Sequence, residues 1–419
     1  MKKLLTSKQW YPWLVVALLW VVALLNYMDR QMLSTMRASM AVDITALEST
    51  VNFGKIMAVF MWIYGFMSPV SGIVADRVNR KWLIVGSLAV WSTVTLLMGY
   101  AETYNQVYWL RAAMGISEAL YIPAALSLIA DYFTGKQLSL AIGIHMTGLY
   151  MGQAIGGFGA FVAAQLSWQQ TFHWFGLVGI VYALILIAFL YEDESAPRNI
   201  KTESSDPFSF RKAFGSVGSS IGALLANGAF WTILFFFASC SIPGWSTKNW
   251  LPELFASSLG IDMVWAGPVA TITIAASSFL GVMVGGPMAD RWAQRNLKGR
   301  IFTSAIGMTL MIPALILMGF GSSLFSAISA GIIFGFGYGL FDSNTMPILC
   351  QFVNDRRRAT AYGIMNMSGL FIGAMATNVL GSLAQDGQMG LGFVIMAGAL
   401  VLAILLQLTV LKPKTLNME

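Results

Sequence analysis

Twelve long apolar segments dominate this sequence, and each is long enough to cross a lipid bilayer as a helix. A membrane-spanning helix needs about 20 residues. Apolar runs of that order lie near residues 12–36, 52–75, 82–101, 107–133, 138–165, 170–191, 227–252, 262–289, 301–320, 323–351, 359–384 and 389–411. Only 11% of the residues are charged, whereas about a quarter of an ordinary soluble domain is charged. The sequence therefore predicts an all-α membrane protein with twelve transmembrane helices.

One long polar segment, residues 192–226, divides the twelve spans into six and six. We therefore expect an N-terminal half over residues 1–191, a cytoplasmic linker over 192–226 and a C-terminal half over 227–419. Placing both termini in the cytoplasm puts all but five of the 25 Lys and Arg residues on that side, in agreement with the positive-inside rule. The five exceptions are Arg30, Arg37, Lys55, Arg111 and Lys248. We expect a cell inner-membrane protein, and its net charge of +6 needs no nucleic-acid partner.

The two predicted halves share short motifs, and the members of each pair are separated by about half of the chain. The pairs are Gly72-x-x-x-Asp76-Arg77 with Gly286-x-x-x-Asp290-Arg291, Gly115-x-x-Glu118-x-x-x-x-Pro123 with Gly339-x-x-Asp342-x-x-x-x-Pro347, and Thr147-Gly148 with Ser368-Gly369. Three coincident pairs are hard to obtain by chance. This internal repeat predicts two parallel six-helix, pseudo-symmetric halves around a central cavity.

Charged side chains occur inside two predicted spans, where each costs at least about 2.5–3.5 kcal/mol near the bilayer centre. Asp29 and Arg30 end the charge-free run of the first span, and Arg111 and Glu118 lie two helical turns apart in the fourth. Because the two spans run in opposite directions, we expect Arg111 to pair with Asp29. Glu118 is then deeper and without a firm partner, so that it can load and release a proton. The alternative is a static ion network that locks the two helices together.

A short motif follows the second predicted span and reads Gly72-Ile-Val-Ala-Asp76-Arg77-Val-Asn79-Arg80-Lys81. This motif resembles the signature G-x-x-x-D-R-x-G-R-[RK] of the major facilitator superfamily. Asn79 replaces the usual glycine, and asparagine also tolerates positive φ. The resemblance covers the whole chain and implies two halves that rock to open alternately on each side. The residues of the implied gating motif are Gly72, Asp76, Arg77 and Arg80. Asp76 and Asp290 are expected to cap neighbouring helix ends.

Three further motifs support a narrower resemblance. They are Tyr27-x-Asp29-Arg30, Trp62-x-Tyr64 and Arg111-x-x-x-Gly115-x-x-Glu118-Ala119. Together they resemble the anion:cation symporter family, which includes sugar-acid/proton symporters, sialin and the vesicular glutamate transporters. The spinster family of lysolipid and sphingolipid transporters shares much of this set, including Asn-Tyr-Met-Asp-Arg.

The symporter resemblance implies roles for several of these residues. It implies that Asp29 and Glu118 take up protons and that Arg30 holds a substrate carboxylate, for which the planar guanidinium is well shaped. Arg111 is then the charge partner of the carboxylates. The resemblance also implies that Asn366 contacts substrate. We expect Tyr27 and Tyr64 in the binding pocket because both belong to the shared motifs.

Lys248, Asp342 and Ser368 are further candidates for substrate binding. Lys248 follows Pro243-Gly244, which is expected to break or kink the seventh span, and it either faces substrate or extends to the outer surface. Asp342 can bind substrate hydroxyls, pair with Lys248 or carry a second proton. Ser368 lies with Asn366 on the eleventh span.

Leu149 follows the Gly148 of the fifth span, where sugar-acid symporters tend to carry a polar side chain. This departure disfavours a strongly hydroxylated hexonate as substrate. Gly148, Gly152 and Gly156 have the spacing of close-packed helices, and we expect them to let helices slide during rocking. His145 in the same span is expected to be packed and hydrogen-bonded.

These expectations converge on a proton-coupled secondary transporter that imports a small organic anion by rocker-switch alternating access. The sequence has no metal-ligand cluster, nucleophile elbow or phosphate-binding loop, so we expect neither an enzyme nor a cofactor. The expected partners are the anion, protons and the lipid bilayer, and the expected state is a monomer. The alternatives are a spinster-like exporter of a lysolipid-like amphiphile and a proton/drug antiporter.

Overall fold

The structure is a computed structural model that describes residues 9–192, 222, 224–354 and 357–416, without the side chains of residues 72, 73, 76, 77, 135, 136 and 359. Its α-helices are α1 (Tyr11–Asp43), α2 (Thr50–Arg77), α3 (Arg80–Met98), α4 (Tyr104–Glu118), α5 (Tyr121–Tyr132), α6 (Gly135–Gly156), α7 (Gly159–Gln165), α8 (Trp168–Phe189), α9 (Gly228–Leu259), α10 (Met263–Ala293), α11 (Gly299–Phe320), α12 (Leu324–Phe352), α13 (Arg358–Gln385) and α14 (Met389–Val410). No strand occurs among the described residues.

Twelve segments of the described chain are long and apolar enough to cross a membrane. The helices α4 and α5 together form one of these segments, Tyr104–Tyr132. The predicted all-α fold class with twelve spans is confirmed.

The fourth and tenth spans begin with the same capping arrangement. Thr103 precedes α4, and its hydroxyl accepts from the Gln106 backbone N–H while the Gln106 side chain accepts from the Thr103 N–H. Ser323 and Ser326 make the equivalent pair of bonds before α12. Each pair satisfies two backbone donors that a helix start otherwise leaves open. The start of α4, and with it the register of its charged residues, is therefore determined locally.

The fourth span is interrupted directly after Glu118. Residues 119–120 form a turn, and α5 begins at Tyr121. Pro123 lies in the first turn of α5, where its missing N–H is tolerated but its ring opposes a continuous helix through the preceding residues. Ser87 of α3 donates to the carbonyl of Ser117 at 2.5 Å, which gives one of the last carbonyls of α4 a partner. Glu118 is thus the last residue of α4.

Glycines of α6 pack directly against the backbone of α1. The facing pairs are Gly148 with Trp20, Gly152 with Leu24, and Gly156 with Met28. A Cβ atom at Gly148 would lie 2.6 Å from the carbonyl oxygen of Trp20, and one at Gly156 would lie 2.8 Å from that of Met28. Sliding along this contact would bring residues with Cβ atoms onto those carbonyls. The expectation that these glycines let helices slide is therefore not supported at this contact.

The chain contains two compact units. The first comprises Met1–Lys201 together with Lys248–Ile272, and the second comprises Thr202–Thr247 together with Thr273–Glu419. The end of α9 and the beginning of α10 are thus grouped with the first six spans. The division of the sequence into halves on either side of residues 192–226 stays a prediction.

Candidate functional site

A buried ion pair joins α1 to α4 within the first unit. Arg30 Nε donates to Glu118 Oε2 at 2.5 Å, and the side chains are 10% and 0% exposed. Breaking a buried pair of this kind by removing one partner costs about 3–5 kcal/mol. The expectation that Glu118 lacks a firm partner is therefore wrong, because the Arg30 side chain extends to the last turn of α4.

The guanidinium of Arg30 lies among three aromatic rings. Its Cζ is 5.0 Å from the ring centroid of Tyr27, 4.9 Å from that of Phe60 and 4.7 Å from that of Tyr64. A cation within about 6 Å of an aromatic face gains about 0.5–2 kcal/mol. Tyr27 and Tyr64 are thus brought together with Arg30, as their shared motifs suggest. The rings hold the guanidinium in place and leave its edges for hydrogen bonds.

Arg111 is buried and also contacts Phe60. Its Cζ lies 4.5 Å from the centroid of that ring, and its Nη1 donates to Met114 Sδ at 3.0 Å. Asp29 instead accepts from the hydroxyl of Thr95 on α3, at 3.2 Å. The predicted pairing of Arg111 with Asp29 is therefore wrong. The two groups interact only at longer range, because Arg111 packs on Phe60 and Asp29 is oriented towards α3.

Several polar atoms of this cluster are buried and have no hydrogen-bond partner within the described chain. They are Nδ2 and Oδ1 of Asn26, Nη2 of Arg30, Nε of Arg111 and Oε1 of Glu118. An unsatisfied buried polar group costs about 1–3 kcal/mol. The cluster therefore has spare hydrogen-bonding capacity on both of its cations and on one of its carboxylates.

Lys248 of α9 belongs to the first unit and lies near this cluster. Its Nζ is 5.8 Å from the ring centroid of Tyr27, and its backbone carbonyl accepts from Gln31 Nε2 at 2.8 Å. In the same unit Arg37 Nη2 binds Glu253 Oε1 at 2.5 Å. The predicted break at Pro243 is absent, because α9 is continuous from Gly228 to Leu259. Membrane helices tolerate proline where neighbouring groups satisfy the freed carbonyl.

Asp342, Asn366 and Ser368 belong to the second unit. Asp342 on α12 is exposed, whereas Asn366 and Ser368 on α13 are half-buried. The Ser368 hydroxyl donates to Met365 O in its own helix, at 2.7 Å. The participation of these three residues in substrate binding stays a prediction.

The structure describes the side chains of only part of the predicted gating motif. The side chains of Gly72, Asp76 and Arg77 lie outside the described residues. Arg80 forms an ion pair with Asp131 at the end of α5. In the second copy of the motif, Asp290 accepts from Arg300 in the first turn of α11 at 3.3 Å.

His145 packs as expected. It is fully buried, and its Nε2 lies 2.9 Å from the hydroxyl of Tyr121, which donates to the carbonyl of Leu19.

Three residues of the cluster were not predicted from the sequence as site residues. Phe60 contacts both arginines, Thr95 binds Asp29, and Asn26 lies beside Glu118. An apolar ring in a membrane span gives no signal by itself. Asn26 could have been found, because it lies one helical turn before Arg30 and shares a face of α1 with it.

The sequence matches the profile of the Major Facilitator Superfamily over residues 19–377 and 270–417. The chain belongs to this superfamily. It is 27% identical over 405 residues to protein spinster homolog 1 of Xenopus tropicalis, a match that covers 90% of this chain and 73% of that protein. It is 26% identical over 414 residues to the hexuronate transporter of Escherichia coli strain K12, a match that covers 94% of each.

A solved structure shows the same fold. The crystal structure of a bacterial homolog to the human lysosomal transporter spinster, in an inward-facing and occupied conformation, matches with a TM-score of 0.76 at 20% identity, over 96% of this chain and 97% of that chain. The predicted membership of the superfamily is confirmed. Its members are transporters and are not enzymes. The twelve apolar helices and the bacterial relative support a multi-pass protein of the inner membrane.

Proposed function

We propose that this transporter imports a small organic anion together with protons by alternating access. The observation that carries the proposal is the buried ion pair between Arg30 Nε and Glu118 Oε2, at 2.5 Å. A guanidinium binds carboxylates through two parallel N–H donors, and Nη2 of Arg30 still has no partner within the described chain. Glu118 and a substrate carboxylate therefore compete for the same cation.

This competition couples anion binding to a proton. A proton from the more acidic outer side neutralises Glu118, and the neutral acid no longer holds Arg30 by charge. The substrate carboxylate then binds Arg30, beside Tyr27 and Tyr64. On the less acidic inner side Glu118 loses its proton, pairs with Arg30 again and displaces the anion. The ligand and the proton thus favour the same step of the conformational equilibrium.

The remaining residues have supporting roles in this proposal. Asp29 carries a second proton, and Arg111 acts on both carboxylates at longer range, without a direct ion pair. Lys248, Asp342, Asn366 and Ser368 contact substrate, and the motif around Arg80 supports gating. The protein acts as a monomer with both termini in the cytoplasm. The name of the bacterial relative, hexuronate transporter, supports a sugar acid as the anion.

Uptake into proteoliposomes tests the coupling. With an inwardly directed proton gradient and D-glucuronate, a hexuronate, as probe, we expect the wild type to accumulate the anion. Glu118→Gln should lose accumulation but keep exchange of internal for external D-glucuronate, because a neutral side chain at residue 118 leaves Arg30 available. The matched control is Glu253→Gln, which removes another carboxylate paired with an arginine in the same unit. It should still accumulate the anion against its gradient. Uphill accumulation by Glu118→Gln would refute the coupling role.

A second candidate function is export of a lysolipid-like amphiphile. Leu149 in α6 and the likeness to protein spinster homolog 1 favour it. A thermal-shift screen with D-glucuronate, sialic acid, an aromatic acid and a lysophospholipid separates the two candidates. Stabilisation by an acid and not by the lysophospholipid supports the anion, and the reverse pattern supports the amphiphile.

A further inference from the structure

A groove along the last part of α10 combines apolar and basic side chains. The residues that line it include Met283, Val284, Pro287, Arg291, Trp292 and Arg295, all within the second unit. Met283 and Val284 are 58% and 47% exposed, although this membrane-spanning segment continues to Ala293. Because lipid tails are as apolar as these side chains, the first part of the groove is suited to contact with acyl chains.

Two arginines lie at the other end of the same groove. Arg291 is in the last turn of α10. The backbone N–H of Gln294 donates to the carbonyl of Asp290, four residues earlier, at 3.2 Å, so helical hydrogen bonding continues to the end of the helix. Arg295 therefore follows Arg291 by one turn on the same face. Both side chains are exposed, and the groove thus ends in two accessible cations.

Positive charge predominates around these two arginines. Residues 286–300 contain four basic side chains and one acid, Asp290. Asp290 accepts from Arg300 Nη2 at 3.3 Å. No acid of the described chain forms an ion pair with Arg291 or Arg295. An anionic group of a ligand would therefore complement this end of the groove.

Trp292 lies beside the two cations. Its side chain is 36% exposed, and its ring centroid is 5.2 Å from that of Phe302 on α11. Tryptophan is enriched at the level of the lipid headgroups, because its ring is apolar and its N–H is a hydrogen-bond donor. The indole thus indicates that the basic end of the groove lies at the membrane surface.

We propose that this groove binds one anionic phospholipid. Its phosphodiester binds Arg291 and Arg295, and an acyl chain lies on the exposed side chains of Met283, Val284 and Pro287. Such a lipid site goes beyond the proposed function and does not depend on the transported substrate.

Two physical arguments favour an anionic lipid as the occupant. A guanidinium donates two parallel hydrogen bonds to phosphate oxygens, and a zwitterionic headgroup adds an ammonium that the arginines repel. The eight residues from Met283 to Arg291 extend about 12 Å along the helix, which is close to the thickness of about 15 Å of the hydrocarbon of one leaflet. A single lipid can therefore contact both parts of the groove.

Native mass spectrometry of the full chain in detergent tests the site. The probes are phosphatidylglycerol and phosphatidylcholine with identical acyl chains. We expect the wild type to bind its first phosphatidylglycerol more tightly than phosphatidylcholine. The double variant Arg291→Gln, Arg295→Gln should bind phosphatidylglycerol roughly 30-fold more weakly, the loss expected when two basic residues are removed from an anionic lipid contact. Its binding of phosphatidylcholine should stay unchanged.

The matched control is the double variant Arg357→Gln, Lys412→Gln. It removes two exposed basic side chains from the same unit and leaves the groove intact, so it should bind phosphatidylglycerol like the wild type. An equal loss in both double variants would show attraction to net charge and would overturn the site. Equal affinity of the wild type for the two lipids would also overturn it.

Inorganic phosphate distinguishes a lipid site from a site for the free anion. Phosphatidylglycerol should raise the midpoint of thermal unfolding of the wild type and of the control variant, whereas the same concentration of inorganic phosphate should not. Equal stabilisation by inorganic phosphate would overturn the lipid as the occupant. If the double variant at the groove is not monodisperse on size exclusion, Arg291→Gln alone replaces it, with an expected loss of roughly 5-fold and Arg357→Gln as its control.

Discussion

The fourth and tenth spans contain two copies of one motif that differ in charge. Gly115 precedes Glu118 by the same spacing as Gly339 precedes Asp342, and each glycine lies against the backbone of a neighbouring helix in its own unit. Glu118 is fully buried in an ion pair, whereas Asp342 is exposed. The packing role of the motif is thus present in both copies, and the acid is buried in the first copy and exposed in the second.

The position of Arg111 differs even more between the copies. Arg111 lies four residues before Gly115, and in the second copy Gly335 lies four residues before Gly339. A Cβ atom at Gly335 would lie 2.6 Å from the carbonyl oxygen of Ile274. No side chain fits there, so the second copy cannot hold the equivalent cation.

The first and seventh spans show a related asymmetry. The sequence Tyr27-Met28-Asp29-Arg30 aligns with Trp245-Ser246-Thr247-Lys248 at the spacing of the repeat. The second copy keeps an aromatic ring and a cation but has a hydroxyl in place of the acid. The Thr247 hydroxyl donates within its own helix, to Gly244 O at 3.1 Å. These differences predict that proton coupling depends on the first copy.

The fourth and tenth spans also differ in whether the helix is continuous. The fourth span is interrupted after Glu118, whereas α12 is continuous from Leu324 to Phe352. Both copies have a proline five residues after the acid, Pro123 and Pro347. Because the proline is common to both, it does not by itself account for the interruption.

The largest effect is expected from neutralising the two acids separately. Glu118→Gln should abolish D-glucuronate accumulation driven by a proton gradient, because the competition for Arg30 is lost. Asp342→Asn should keep accumulation and change only the apparent affinity, since an exposed side chain is not part of the buried pair. Uptake by proteoliposomes at matched protein density measures both. An equal loss of D-glucuronate accumulation in the two variants would contradict the proposed difference between the two copies of the motif.

The next largest effect is expected from two separate substitutions, in which each cationic residue is replaced by the other type. Arg30→Lys removes the second guanidinium donor and the planar group that lies among the aromatic rings. The loss of one charged hydrogen bond of about 1.5–3 kcal/mol raises the dissociation constant roughly 10- to 100-fold. Lys248→Arg keeps the charge and should change affinity much less. Isothermal titration with D-glucuronate measures both. A larger loss in Lys248→Arg would place the main anion contact on the second copy.

A side chain at Gly335, the position in the second copy that corresponds to Arg111, should destabilise the protein. Gly335→Ala inserts a Cβ atom against Ile274, and overpacking of this kind costs about 1–3 kcal/mol. The control is Gly398→Ala on α14, where no atom lies within 4 Å of the added Cβ. Thermal unfolding in detergent should show a lower midpoint for the first variant only. Equal midpoints would show that a side chain is sterically possible at residue 335.

The smallest effect is expected at the hydroxyl that binds Asp29. Thr95→Val removes the 3.2 Å hydrogen bond that the hydroxyl donates to Asp29 Oδ2, a bond that favours the ionised form of Asp29 and is worth about 0.5–1.5 kcal/mol. Asp29 then holds its proton more readily, so acid-stimulated uptake should persist to a pH higher by at most about one unit. Thr309→Val on α11, whose hydroxyl binds only Ala305 O, should leave the pH profile unchanged. A shift to lower pH in Thr95→Val would contradict the assigned hydrogen bond.

The sequence was sufficient to predict the spans, the repeat and the charged residues of the cluster. It was not sufficient to predict their partners. Two helices of known direction can still be rotated about their axes, and this rotation decides whether Arg111 meets Asp29 or packs on Phe60. The pairing of Arg30 with Glu118 depends on side-chain rotamers that residue spacing does not determine. The continuity of α9 through Pro243 depends on neighbours far along the chain.

The contact between α6 and the first helix has a mechanical consequence. Its three glycines meet the first helix on residues 20, 24 and 28, and Arg30 follows within one turn. We therefore expect α6 to move together with the first helix when that helix tilts, and the Arg30 guanidinium to move with both. A pair of spin labels, one on each of these helices, would keep a constant separation through the transport cycle. That constant distance would be the reference with which changes in the other inter-helix distances of the carrier are compared.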